Sequence, residues 1–180
     1  MKSHPKSRRS QRGVTLIETA VALTIVAIGV STVAPSFQDL VARKRLEGVA
    51  AQLATDLQYV RTEAVARNEA VRISFHADAG GSCYVIHTGA RAQCNCNGPA
   101  PATCSGDAAQ FKTVYLATAQ QVGVAASANS ILFDPLHGTS TPTGTARVTG
   151  MQGAIHHVVN VMGRVRSCSP EGALPGYRVC

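Results

Sequence analysis

The sequence contains no tryptophan and only eight aromatic residues, four Phe and four Tyr, among 180. So few rings argue against a large enzyme-type core, and the abundance of Ala, Val, Thr and Gly suits a small β-rich one. Catalytic signatures are also missing. There is no phosphate-binding glycine loop and no G-x-S-x-G elbow. His156 and His157 are adjacent, so on a strand they point to opposite faces and cannot jointly hold one ion. Asp134, in Phe133-Asp134-Pro135, reads as the start of a turn. No catalytic residue, metal site or cofactor is implied, and the chain reads as a non-enzyme. At 180 residues there is room for one domain and one extended element.

Acidic residues are absent from residues 1–13, where Lys2, Lys6, Arg8, Arg9 and Arg12 cluster. The formal net charge of +7 is therefore unevenly placed. Without those five, the chain has 12 basic residues against 10 acidic ones. Overall basicity is thus no evidence for a nucleic-acid partner.

From Val14 to Phe37 the residues are apolar or small, with Glu18 the only charge. A helix rising about 1.5 Å per residue needs about 20 residues to cross a bilayer, and this run suffices. The basic flank predicts that residues 1–13 stay cytoplasmic and the C-terminal part emerges on the far side of an inner membrane, in the periplasm. A cleaved secretory signal would have a shorter apolar stretch and an A-x-A-like site. A plain anchor would leave Glu18 without purpose, because an intramembrane carboxylate normally has a partner. Arg12-Gly13-Val14-Thr15-Leu16-Ile17-Glu18 resembles the type III leader of type IV pilins and pseudopilins. That resemblance implies cleavage after Gly13 by a prepilin peptidase, then N-methylation of Val14. It makes Glu18 the assembly contact, meeting the N-terminal ammonium of a neighbouring pilin or pseudopilin so that two desolvation penalties are offset together. Val14 replaces the usual aromatic. Pro35 falls where pilin helices commonly carry a proline that kinks or locally melts them.

Residues 38–68 predict an amphipathic helical stem. Leu46, Val49, Leu53, Leu57, Val60 and Ala64 share one face, and charges including Asp56 and Arg43-Lys44-Arg45 fill the others as solvated positions. Residues 69–180 lose the helical period. Strands are expected at 71–75, 83–87, 112–117, 130–134, 146–150 and 155–162, with Gly/Pro turns between them. The expected fold is α+β, a long N-terminal helix packed on two small antiparallel sheets.

Six cysteines, Cys83, Cys94, Cys96, Cys104, Cys168 and Cys180, all follow the apolar run, and an even count in an oxidising compartment suggests disulfides. A Cys168–Cys180 bridge resembles the C-terminal disulfide loop of many pilins. A direct Cys94–Cys96 bond would be strained, so each is expected to pair with Cys83 or Cys104. Zinc is the alternative, but paired C-x-x-C knuckles are lacking.

The segment Asn160-Val161-Met162-Gly163-Arg164-Val165-Arg166-Ser167-Cys168 completes the pattern. Leader, stem, β-rich half and this tail together resemble the FimT/GspH family of minor pseudopilins, over essentially the whole chain. Gly163-Arg164-Val165-Arg166 is similar to the G-R-x-R motif of the FimT branch, which implies non-specific binding of double-stranded DNA for uptake in natural transformation. On an extended segment Arg164 and Arg166 would point the same way, about 7 Å apart, each able to engage a phosphate. Gly163 would let DNA approach the backbone or supply a positive φ, and a Cys168–Cys180 bridge would bring Arg178 near the pair. Aromatic stacking contributes little, with Tyr177 the one ring near the tail. Two other readings stay open: a GspH-like subunit of a type II secretion pseudopilus, and a minor pilin that only primes pilus assembly.

Overall fold

The computed structural model describes residues 13–172 and 174–180, and it separates into two units, Met1–Gln38 and Asp39–Cys180. Helix α1 runs from Leu16 to Arg67 and contributes to both. In the first unit Thr15 supplies the cap, its hydroxyl accepting the Glu18 backbone N–H at 3.3 Å. Thr24 and Ser31 return their hydroxyls to the carbonyls of Ala20 and Ile28, so these polar groups are satisfied within the helix itself. An 18-residue window here has a mean hydropathy of 2.0 and no buried residue. Length and composition thus allow a membrane span. The helix is unbroken through Pro35, whose side chain, like the whole of residues 1–12, lies outside the described residues.

In the second unit Leu46, Leu53, Leu57, Val60 and Ala64 are fully buried, with Ala50 beside them. Asn68, at φ +52°, ends the helix: its N–H bonds the Val65 carbonyl and that of Glu69 bonds Ala64. A left-handed residue closing both bonds satisfies carbonyls that the helix end leaves open.

The strands are β1 (Val71–Asp78), β2 (Gly81–Thr88), β3 (Cys94–Asn95), β4 (Thr103–Cys104), β5 (Gln110–Ala117), β6 (Val122–Ala126), β7 (Ser130–Phe133), β8 (Ser140–Thr141), β9 (Gly144–Gly150), β10 (Gly153–Val159) and β11 (Val165–Cys168). They form a five-stranded sheet in the order β5-β2-β1-β7-β8, a four-stranded sheet in the order β11-β10-β9-β6, and the small β3-β4 ladder. One apolar cluster joins the helix stripe to both larger sheets through Ile73, Phe133, Val148 and Ile155. The α+β expectation holds. The strand expected at 155–162 ends at Val159, because residues 161–162 make a turn. Strands β6 and β11 were not anticipated: each is at most five residues long and one is a run of small residues, too short for a clear alternation.

Two expectations for the stem are corrected. Asp56 is buried, accepting the Tyr84 hydroxyl at 2.7 Å and the Lys112 ammonium at 2.7 Å. Arg43 and Arg45 are not simply solvated, since they donate to the Pro175 and Gln120 carbonyls and fasten loops to the stem.

Disulfides join Cys83 to Cys96, Cys94 to Cys104, and Cys168 to Cys180. The first two hold a small apolar cluster with Val85 under the loop that contains β3 and β4.

Candidate functional site

Strands β10 and β11 form a hairpin, pairing Val159 with Val165 and Val158 with Arg166. The turn between them is closed by the Gly163 N–H on the Asn160 carbonyl and by the Arg164 N–H on the Asn160 side chain, at 2.8 and 2.9 Å. Val165 turns inward and packs on the core, so Arg164 and Arg166 project together on the outer side, both exposed. Neither side chain has a hydrogen-bond or ion-pair partner among the described residues, and the same holds for Arg178 and Arg147. A lone exposed guanidinium keeps its hydration and its donor fork free for an incoming anion.

Of the two roles expected of Gly163, the structure shows the positive φ. Its φ is +69°, but it is buried, and a Cβ there would overlap the Gly138 carbonyl oxygen and crowd the Arg61 side chain. The bare backbone is needed for this internal approach. Arg61, which sequence reasoning passed over as one helix charge among several, donates to that same Gly138 carbonyl at 3.1 Å. Together with Asn160 and the three residues after Gly163 it borders an open cleft of about 530 Å³. Only the tertiary fold brings position 61 to the hairpin, and no local pattern signals it.

Beyond Cys168 the chain folds back. The Ser169 N–H bonds the Arg178 carbonyl at 2.9 Å and Cys180 N–H bonds the Ser169 carbonyl, laying the terminal residues beside the end of β11. The backbone of Arg178 is therefore next to Ser169, with its side chain exposed.

The two adjacent histidines separate as strand geometry requires. His156 lies half-buried on the outer face opposite Arg147, and burial with that cation holds it below the usual histidine range. His157 is buried with Nδ1 2.9 Å from the Ser167 hydroxyl, and burial pushes its pKa down to about 4. Its Nε2 faces the Ala50 backbone without completing a hydrogen bond. Asp134 starts its turn by accepting the Leu136 and His137 N–H groups, and these bonds hold its carboxyl below the usual range. No group of three or more His, Cys, Asp or Glu is arranged to hold a metal among the described residues.

At the other end, Val14 and Glu18 are exposed, with Glu18 in the first turn of α1. A carboxylate there complements the partial positive charge of the helix start. Gly13 precedes the helix with open space around its Cα.

A long N-terminal helix leading into antiparallel sheets, with an exposed apolar first half, defines a type IV pilin-like minor pseudopilin. Residues 49–163 match the family described as "Type II transport protein GspH", and residues 8–34 match the "Prokaryotic N-terminal methylation motif". The chain belongs to the GspH family. Among solved structures, the type IV minor pilin FimU of Pseudomonas aeruginosa PAO1 in space group P21 superposes with a TM-score of 0.51 at 20% identity, covering 73% of this chain and 97% of that one. Its P65 crystal form gives 0.49 at 18% identity, covering 71% and 99%. No curated protein matches the chain. At such identity the FimU likeness shows the fold alone. The family match ends at Gly163, so Arg164, Arg166 and Arg178 lie beyond the residues that carry it.

Proposed function

We propose that this pseudopilin is cut after Gly13 by a prepilin peptidase, methylated on Val14, and drawn into a pilus through Glu18, with residues 39–180 on the periplasmic side. In the filament its work is to bind duplex DNA without sequence preference, for uptake, and no catalysis is involved. The observation that carries the DNA reading is the pair Arg164 and Arg166. Both are exposed and without a side-chain partner among the described residues, and Val165 between them is anchored in the core, so the two charges are presented on a fixed scaffold. With so few phosphate contacts, each subunit binds weakly and with strong salt sensitivity. Several copies in one filament would raise the avidity.

The test is a titration of the full chain in zwitterionic detergent micelles with duplex DNA at low salt, beside an Arg164→Gln/Arg166→Gln variant. The parent is expected to bind with a log–log salt slope steeper by about 1.8, from two lost contacts. Equal affinity for both chains, or none for the parent, would overturn the DNA reading.

A second reading has its own observation. The family match carries a type II transport description and stops before the arginines. Under that reading the chain is a pseudopilus subunit, its deletion stops protein secretion, and DNA uptake is unaffected.

A further inference from the structure

The two arginines of the G-R-x-R run, Arg164 and Arg166, are part of a larger cationic surface. The strand registers of the four-stranded sheet set its outward rows. One row runs Arg166, Val158, Thr145 across β11, β10 and β9. The next runs Cys168, His156, Arg147, Ala125 and reaches β6. Residues directly opposite on neighbouring strands share a face. Arg147 and Arg166 are therefore on one side of the sheet, and strand alternation adds Arg164. Val158 is exposed between them, while Ala146, Val148, Ile155 and Val159 fill the opposite, core-facing side.

Three properties of this face bear on its ligand. None of the four strands contains an Asp or Glu. A surface that serves only solubility would mix both signs. Arg147 is exposed and has no hydrogen bond or ion pair among the described residues, so its charge is not consumed internally. His156, the one polar ring between the two arginines, approaches the Cys180 sulfur at 3.7 Å and lies opposite Arg147 on the next strand.

Strand spacing fixes the separation. Arg147 and Arg166 stand two strands apart laterally and two residues apart along the strands, about 12 Å between Cα atoms. That is about the width of the major groove of B-DNA, so the two side chains are placed to reach phosphates on the two borders of one groove. Arg164 and Arg166, about 7 Å apart, then follow a single border.

We propose that Arg147 is a DNA-contacting residue, and that the outer face of the β9-β10-β11 sheet, not the tail alone, is the surface on which a duplex lies. This rests on the DNA-binding reading above and extends it from a short motif to a two-dimensional array of cations. The proposed contacts are to the phosphate backbone, which positions a duplex without reading its sequence.

The experiment uses the full chain in zwitterionic detergent, so that the micelle adds no charge and the common N-terminus cancels between variants. Five chains are titrated with duplex DNA over a range of salt: the parent, Arg147→Gln, Arg147→Lys, Arg164→Gln/Arg166→Gln, and Arg91→Gln. Arg91 is an exposed arginine on a short 3-10 turn outside this sheet, and its removal matches the loss of net charge. Arg147→Gln is expected to bind several-fold more weakly at low salt, with a salt slope shallower by about 0.9, while Arg91→Gln titrates like the parent. Arg147→Lys, which keeps the charge, is expected to restore the slope. If Arg147→Gln behaves like Arg91→Gln while the double variant loses binding, this inference is overturned and the motif reading stands. If Arg147→Lys fails to restore the slope, the effect of Arg147→Gln is on the fold, and the inference is likewise overturned. Equal binding by all the chains overturns both readings.

Discussion

The α-carbon of Gly163 lies so close to the carbonyl oxygen of Gly138 that no side chain fits between them. Gly138 itself has φ +62° and stands against Arg61, which donates to its carbonyl. The two glycines and one arginine lock the β10–β11 turn onto the stem. Ser140 completes the clamp, its N–H bonding the Val161 carbonyl and its hydroxyl the Asn160 carbonyl. The glycine of the G-R-x-R run thus belongs to the scaffold, and the arginines to its surface.

Gly163→Ala is therefore expected to act on stability first. A left-handed alanine costs about 1 kcal/mol and overpacking a filled site about 1–3 kcal/mol more. Chemical denaturation should show a total loss of roughly 2–4 kcal/mol. Gln at positions 164 and 166, both exposed and without a side-chain partner among the described residues, should leave the midpoint within about 0.5 kcal/mol of the parent. A Gly163→Ala variant as stable as the parent would show that the turn is free to move away from Gly138.

A second expectation concerns Asp56, Tyr84 and Lys112. The Asp56 carboxylate is buried and shared between a phenol and an ammonium, and burial, reinforced by Asp56, holds the Tyr84 hydroxyl protonated well above its usual range. Tyr84→Phe should cost about 1.5–3 kcal/mol, the loss of a hydrogen bond to a charged group. Asp56→Ala should cost about 2–4 kcal/mol, less than a fully enclosed pair because Lys112 can turn to solvent. The double variant should cost little more than Asp56→Ala alone, and urea midpoints read this coupling. Additive losses would mean the two side chains do not depend on each other.

The helix stripe was legible because residues repeating at three and four positions must face one way, and the long strands because they are β-branched and bounded by turns. Asp56 was not legible as a buried group: its partners are 28 and 56 residues away in sequence, and the pattern of charges around it is that of a wet face. Arg61 and Arg147 were missed for the same reason. Arg147 becomes part of a cationic face only through its register with His156, a pairing that no local period encodes. The motif Gly163-Arg164-Val165-Arg166 was visible, and so was a positive φ for its glycine, but the packing of that glycine was not, because Gly138 approaches it from a distant loop.

Removing the Cys168–Cys180 bridge should loosen the tail while leaving both larger sheets intact. The bridge closes a loop of 12 residues, for which chain-entropy reasoning gives about 3 kcal/mol. Cys168→Ser/Cys180→Ser is expected to lower the denaturation midpoint by up to that amount and to raise amide exchange at Ser169 and Cys180, whose N–H groups bond across the loop. DNA affinity should fall by less than in the Arg164→Gln/Arg166→Gln variant, since Arg164 precedes β11 and Arg166 lies on it, both before the loop. A greater fall would mean that the tail, with Arg178, is the principal contact.

Stability should also decline as pH falls through the histidine range. The pKa of His157 is depressed from 6.5 to about 4 by burial, so between those values the unfolded chain takes up a proton that the folded chain refuses. Its contribution is complete above the unfolded pKa and is lost progressively below it, by up to about 3 kcal/mol near pH 4. His76 and His87 are lowered in the same direction, mainly by burial, and add to the slope. Urea midpoints measured from about pH 7.5 down to 4.5 should fall for the parent and fall distinctly less for His157→Phe, which keeps a ring of similar size and cannot charge. The Ser167 hydroxyl left behind is exposed and can turn to water, so the substitution strands no buried donor. Parallel curves for the two chains would mean that His157 accepts its proton without unfolding, which the packing of the β10 inner face against Ala50 argues against.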